Sequence, residues 1–247
     1  MKRSTFIFFA WLIAVAGYTQ TVKVAAAGNL RFVIDEVKAK YLQMHPDAEI
    51  AITLSSSGAL TQQIINGASY DFFMAADTKY PNKIKEEGFA SGEVSTYAFG
   101  KLVLWSNTVD VSNGVEMLTD PKINRIAIAK PEIAPYGARA LEFLKYYNVY
   151  DKVKPKLVYA DNIAQTAQYA QTGNAEIGII AYALVFGPEM KDKGKIYVID
   201  TKSYKPVEQA CVLLKGAENN PGAAKFMEFV LSGECKTIFE KFGYMVP

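Results

Sequence analysis

Two hydrophobic periods take turns along this chain. Val22 and Val24, with Ala25, Ala26 and Ala27, make a compact apolar run that reads as a buried strand, and Leu30, Val33, Ile34, Val37 and Tyr41 then recur at helical spacing. Asn29 falls where a helix N-cap belongs. The succession repeats. Residues 50–54 alternate β-branched and small side chains, Ser55-Ser56-Ser57-Gly58 follows, and Leu60, Ile64 and Ile65 mark a helical face that Gly67 stops. Further strand-like runs cover residues 70–74, 97–105, 125–129, 157–160, 177–181, 196–199 and 210–214. Helical patterns cover residues 81–87, 138–147, 164–171, 223–231 and 235–242, with a short turn or helix at 115–118. Strands alternating with helices predict an α/β protein with largely parallel sheets. No internal repeat or low-complexity segment interrupts the pattern.

The first twenty residues stand apart. Lys2 and Arg3 precede an apolar run over residues 6–16 that ends in Ala14-Val15-Ala16, the layout of a cleavable secretory signal peptide. The run is short for a membrane span. Export with cleavage of the leader is therefore expected. Removing residues 1–20 takes away two of the 27 basic residues and none of the 25 acidic ones, so the mature chain carries no formal net charge. A nucleic-acid partner would call for a basic excess. In an oxidising compartment Cys211 and Cys235 could pair; two buried thiols fit the sequence equally, since spacing alone does not fix their separation. The single histidine, His45 beside Pro46, reads as a solvated loop residue, and no cluster has metal-ligand spacing.

Four strand-to-helix junctions share small polar residues: Gly28-Asn29, Ser57-Gly58, Tyr136-Gly137 and Asp161-Asn162-Ile163. Each would offer free N–H groups and about half a positive charge at a helix N-terminus. Converging in one cleft, four such termini would suit a dianion held by neutral donors. Singly, each is an ordinary helix cap. A serine hydrolase is the remote alternative: Ser55-Ser56-Ser57-Gly58 lacks Gly-x-Ser-x-Gly, and His45 would have to be the base. Nothing else supplies catalytic residues. An amino-acid binder would want an Arg for the carboxylate, and Arg31, Arg139 and Lys130 lie near the junctions. A ferric binder would want clustered tyrosines, for which Tyr146, Tyr147 and Tyr150 are candidates, though a packed aromatic surface accounts for them as well.

Taken in order, these segments resemble the periplasmic molybdate-binding proteins of ABC importers, members of the type II solute-binding fold. Ala-Ala-Gly-Asn-Leu at 26–30 is similar to the family's Ala-Ala-(Ala/Ser/Asn)-Leu start, and Ser-Ser-Ser-Gly-Ala-Leu-Thr-Gln-Gln-Ile at 55–64 to its Ser-Gly-x-Leu-x-x-Gln-Ile segment. Residues 70–77, 134–137, 161–163 and 239–246 resemble the family's Ala-Asp-(Leu/Val)-Phe-x-Ser-Ala-Asp, Val-Pro-(Ala/Tyr)-Gly, Glu-(Asn/Asp)-Val and Ile-Phe-x-x-Tyr-Gly-Phe motifs. The resemblance spans essentially the whole mature chain.

It implies a two-lobed type II periplasmic binding protein fold of α/β class, with the ligand cleft between the lobes and two hinge crossovers. Lobe I would be residues 21–98 plus 203–247 and lobe II residues 99–202, the chain crossing near 97–100 and 199–204. It implies a binding protein, not an enzyme, that captures molybdate and also tungstate. The oxyanion would be held at Asn29, Ser57, Tyr136 and Ile163, with Gly28, Gly58 and Asn162 in support, and without a cofactor. Asn29 is left as either a donor to the anion or a cap. Some members carry a tyrosine hydroxyl after the Gly-Ile-Val strand; here Ala181 stands at that point and Tyr182 one place later, so the hydroxyl is expected to be lost. The implied partners are a membrane permease and its ATPase subunit, with the binding protein a monomer. The same fold holding another small anion or an amino acid is the alternative.

Overall fold

The computed structural model describes residues 20–247; the expected signal peptide, residues 1–20, lies outside them but for its last residue. From the first strand the chain builds β1 (Val22–Ala27), a short 3-10 turn at Gly28–Leu30, and α1 (Val33–Met44). Next come β2 (Ile50–Ser55), α2 (Ser57–Ile65), β3 (Phe72–Met74), α3 (Lys79–Glu86) and β4 (Ser95–Gly100). The middle of the chain supplies β5 (Leu102–Ser106), α4 (Val115–Thr119), β6 (Ile126–Ala129), α5 (Pro135–Tyr146), α6 (Tyr150–Val153), β7 (Leu157–Ala160), α7 (Ile163–Gln171), β8 (Ile177–Ala181) and β9 (Lys195–Val198). It ends with β10 (Val207–Leu213), α8 (Pro221–Val230) and α9 (Gly233–Lys241).

These strands form two five-stranded sheets, ordered β2-β1-β3-β10-β4 and β7-β6-β8-β5-β9. Each sheet is the centre of one lobe. Helices α1, α2, α3, α8 and α9 pack in the first and α4 to α7 in the second. Strands β1, β3, β5, β6 and β8 are buried throughout, as strands covered on both faces must be. The exception is Lys23 at the start of β1.

The sheets are mixed rather than largely parallel. β1 runs parallel with β2 and β3, and β6 with β7 and β8, but β10 is antiparallel to β3 and β4, and β5 to β8 and β9. The antiparallel pairs involve the strands on either side of the crossovers. A strand arriving directly from the other lobe needs no helical crossover and is free to enter against the local direction. The chain leaves the first sheet between Gly100 and Leu102 and returns between Val198 and Val207, so the single extended run expected over 97–105 is two strands in two sheets. Where β10 pairs with β4 the register slips at Gln209/Ala210, and Tyr97 is passed over.

Cys211 on β10 and Cys235 on α9 are free thiols, both buried, so the disulfide that the sequence left open is not made. The Cys211 thiol points at the Ser95 carbonyl across the ladder, 3.5 Å away. Burial pushes both thiols up, Cys235 to about 12. A thiolate is the reactive species, so neither cysteine should react with a water-soluble disulfide reagent in the native protein, and both should once urea unfolds it. Rapid native labelling would contradict this.

Candidate functional site

The expected cap at Asn29 is not there. The turn Gly28–Leu30 is 3-10, α1 begins only at Val33, and its N-cap position is Phe32 with no side-chain hydrogen bond. Three α-helices and one 3-10 turn, not four helices, therefore bring their N-termini to the cleft. Asn29 is instead 1 % exposed and turned into the protein, where its Nδ2 donates to Gln209 Oε1 (2.8 Å) and Tyr244 Oη (2.9 Å).

At α2 the cap is Ser56, whose Oγ accepts from the Ala59 N–H, while Ser57 is the first helical residue. Ser57 Oγ accepts from the Ala76 N–H at 3.0 Å. With its acceptor side engaged, the hydroxyl proton is left to donate elsewhere. Pro135 opens α5, placing Tyr136 in its first turn, and Asn162 caps α7 by accepting from the Gln165 N–H (2.9 Å), which makes Ile163 the first residue of that helix. The N–H groups of Tyr136 and Ile163 are thus among the free donors of their helices.

Asn29, Ser57, Tyr136 and Ile163 line one cavity between the lobes, together with Gly28 and Ala76. It is small, with free space of about 10 Å³, that of about one water. No charged side chain lines it. Gly58 and Asn162 stand behind the lining, Gly58 at the lobe contact and Asn162 as the cap of α7. Ala181, buried at the end of β8, and Tyr182, stacked on Phe186, do not line it.

The charged candidates for a zwitterion are engaged elsewhere. Arg139 pairs with Glu142, Lys130 with Asp161, and Arg31 lies over the Phe32 ring. Tyr146 and Tyr147 pack on one another at the surface, and no group of acidic, histidine and cysteine side chains among the described residues could hold a metal ion. His45 is an exposed residue stacked on Tyr41 and is no part of the cavity.

Two contacts close the cavity from the lobe side. The Gly58 N–H donates to the Ile133 carbonyl (2.8 Å), and Tyr80 Oη donates to the Glu132 carbonyl (3.0 Å). Both join the first lobe to the loop between β6 and α5. A Cβ on Gly58 would lie 2.9 Å from Ile133 Cα and O, so only glycine lets the loop come this close.

Beneath the cavity, three phenols and two carboxamides form a buried polar cluster that the sequence did not reveal. Tyr97 Oη donates to the Ala75 carbonyl and also lies within bonding reach of Gln209 Oε1, both at 2.9 Å. Gln209 Nε2 donates to Tyr136 Oη (3.1 Å), and Tyr244 Oη donates to the Asn29 carbonyl (3.1 Å). Burial pushes all three phenols above their ordinary range, with neighbouring phenols adding to the rise at Tyr97 and Tyr136 and the Asn29 hydrogen bond opposing it at Tyr244. The nearest sequence signal was Gln209, which with Glu208 sits just ahead of the apolar run at 210–214.

Residues 22–245 match the family model described as bacterial extracellular solute-binding protein. The chain is 35% identical over 237 residues to the molybdate-binding protein ModA of Rhodobacter capsulatus, covering 94% of this chain and 91% of that protein. It is 32% identical to the Azotobacter vinelandii molybdate-binding protein ModA, covering 95% and 94%. Its fold matches the periplasmic molybdate-binding protein of Azotobacter vinelandii with a TM-score of 0.86 and 31% identity, over 92% of this chain and 99% of that one.

Proposed function

The chain belongs to the bacterial extracellular solute-binding proteins, and within that family we propose that it captures molybdate, and tungstate with it, for delivery to an ABC transporter. The observation that carries this reading is the uncharged cavity lined by Asn29, Ser57, Tyr136 and Ile163. Helix N-termini and a hydroxyl give an oxyanion charge-assisted hydrogen bonds, and no carboxylate repels it. Keeping water out strengthens each bond. A small site of uncharged donors suits a compact ion, and tungstate shares molybdate's charge and shape. The anion is cargo, and the reading assigns no cofactor.

The reading places the protein in the periplasm as a monomer, handing the anion to a membrane permease driven by its ATPase subunit. Among the described residues no helix is long and apolar enough to cross a membrane. The hydrolase alternative is not favoured, because the sequence's only histidine lies away from Ser57 and the relatives are binding proteins.

The test is a thermal-shift and calorimetry panel of molybdate, tungstate, sulfate, phosphate and amino acids. Molybdate and tungstate should raise Tm by mass action; stabilisation by an amino acid with none by molybdate would sink the reading. Ser57→Ala removes one hydrogen bond to a charged ligand, worth about 1.5–3 kcal/mol, so Kd should rise roughly ten- to hundredfold. The fold should survive with Tm lowered, since the helix cap is Ser56 and what the apo chain loses is the acceptor of the Ala76 N–H, worth about 1–3 kcal/mol.

A further inference from the structure

The buried cluster of Asn29, Tyr97, Tyr136, Gln209 and Tyr244 is the place where hydrogen bonds and protons fail to match. All five residues are between 0 % and 4 % exposed. Asn29 Oδ1 is buried without a partner. Tyr97 has one proton for two acceptors, the Ala75 carbonyl and Gln209 Oε1. The Tyr136 hydroxyl is bonded to Gln209 as an acceptor, which leaves its own proton unspent. A buried acceptor without a donor costs about 1–3 kcal/mol, and Asn29 lines the cavity, where an amide oxygen would be the wrong polarity for an anion.

A carboxamide turned by half a revolution keeps its shape and exchanges donor for acceptor. Turning Asn29 alone would set its oxygen against Gln209 Oε1. Turning both resolves these three mismatches and leaves one shared proton, that of Tyr244, between the Asn29 carbonyl and the turned Oδ1. Gln209 Nε2 then donates to Asn29 Oδ1 and to Tyr97 Oη, Tyr97 gives its proton to Ala75, and Tyr136 donates to Gln209 Oε1. The Asn29 Nδ2 group takes the place of the unpartnered oxygen.

We infer that Gln209 is a positioning residue for the anion: it turns with Asn29 as a pair and so presents the Asn29 N–H groups to the cavity. Tyr136 comes from the second lobe and Gln209 from the first, so the hydroxyl that holds the turned pair arrives when the lobes meet. Closure thereby sets the polarity of a donor on the opposite lobe. The inference rests on the oxyanion reading above and adds a residue that does not touch the ligand.

The test is a calorimetric cycle with molybdate on the wild type, Gln209→Met, Asn29→Ser and the double variant. Methionine keeps the side-chain length and orients nothing, so Gln209→Met should weaken binding about tenfold or more when Asn29 is present. A serine hydroxyl rotates freely and needs no orienting, so the same change should cost under about threefold in the Asn29→Ser background. Equal losses in both backgrounds would overturn the inference.

An NMR titration of the wild type stands independently of how Gln209→Met folds. The Asn29 side-chain amide signals should move as molybdate binds, and unmoved signals at saturation would overturn the positioning role while leaving the functional reading intact. A wild type that binds neither molybdate nor tungstate would remove the functional reading itself, and this inference with it.

Discussion

Gly58→Ala should weaken anion binding roughly five- to hundredfold, the cost of about 1–3 kcal/mol that overpacking a close contact carries. The added methyl would meet the Ile133 backbone at 2.9 Å and the Tyr80 hydroxyl at 2.8 Å. The hydroxyl can swing aside, but the backbone moves only with its lobe. The strain therefore falls on the closed arrangement and not on either lobe alone. Gly58 lies inside α2, where alanine is the better helix former by roughly 1 kcal/mol. The variant should accordingly hold or raise its Tm without ligand while losing affinity, a divergence that few substitutions produce. Calorimetry beside a melting curve reads it, and small-angle scattering with saturating molybdate should find the variant less compact than the wild type. Unchanged affinity would mean that the Gly58–Ile133 contact is not needed for capture.

The second large effect is alkaline. Tyr97, Tyr136 and Tyr244 are buried with their phenols held above the ordinary value of 10.0. A group whose pKa is raised on folding keeps its proton longer in the folded chain. Below pH 10 both states hold the proton and stability is unaffected; above it the unfolded chain ionises first. Stability then falls by about 1.4 kcal/mol per pH unit for each phenol, roughly 4 for the three together. Urea midpoints taken from pH 8 upward should be level and then drop steeply. Phenolate absorbance should appear with unfolding, not before it. Ionisation of these tyrosines in a protein still folded would contradict the cluster's burial.

Local chemistry carried the reading of sequence to structure a long way, and the places where it stopped have a common cause. Alternating apolar periods marked the strands and main helices because each buries one face within a few residues of chain. Small polar residues marked the junctions at Ser57, Tyr136 and Ile163 because the free N–H groups of helix N-termini need acceptors or caps nearby. The cap reading of Asn29 failed since its partners are 180 and 215 residues away. The same distance hid Tyr97, Gln209 and Tyr244, which look like ordinary strand or terminal residues until the sheets assemble. The break at Lys101 left no mark in the apolar pattern, for a different reason, and it was the family resemblance that put a crossing near 97–100. An extended chain passing between lobes keeps the apolar texture of a strand on both sides of the crossing. Tyr80 gave no sign of reaching the Glu132 carbonyl, because only the closed arrangement brings α3 to that loop.

The position of β10 in the first sheet constrains the order in which the molecule can be completed. The second sheet draws every strand from residues 102–198, so it has all its parts while the chain is still being made or threaded. The first sheet does not. Its neighbours β3 and β4 are joined only through β10, which ends at Leu213, and until that segment is available they face each other across an open row of unpaired backbone groups. Such long-range pairing is intrinsically slow. The lobe that begins the described chain is therefore the last to be finished, its sheet closing only when the C-terminal segment arrives.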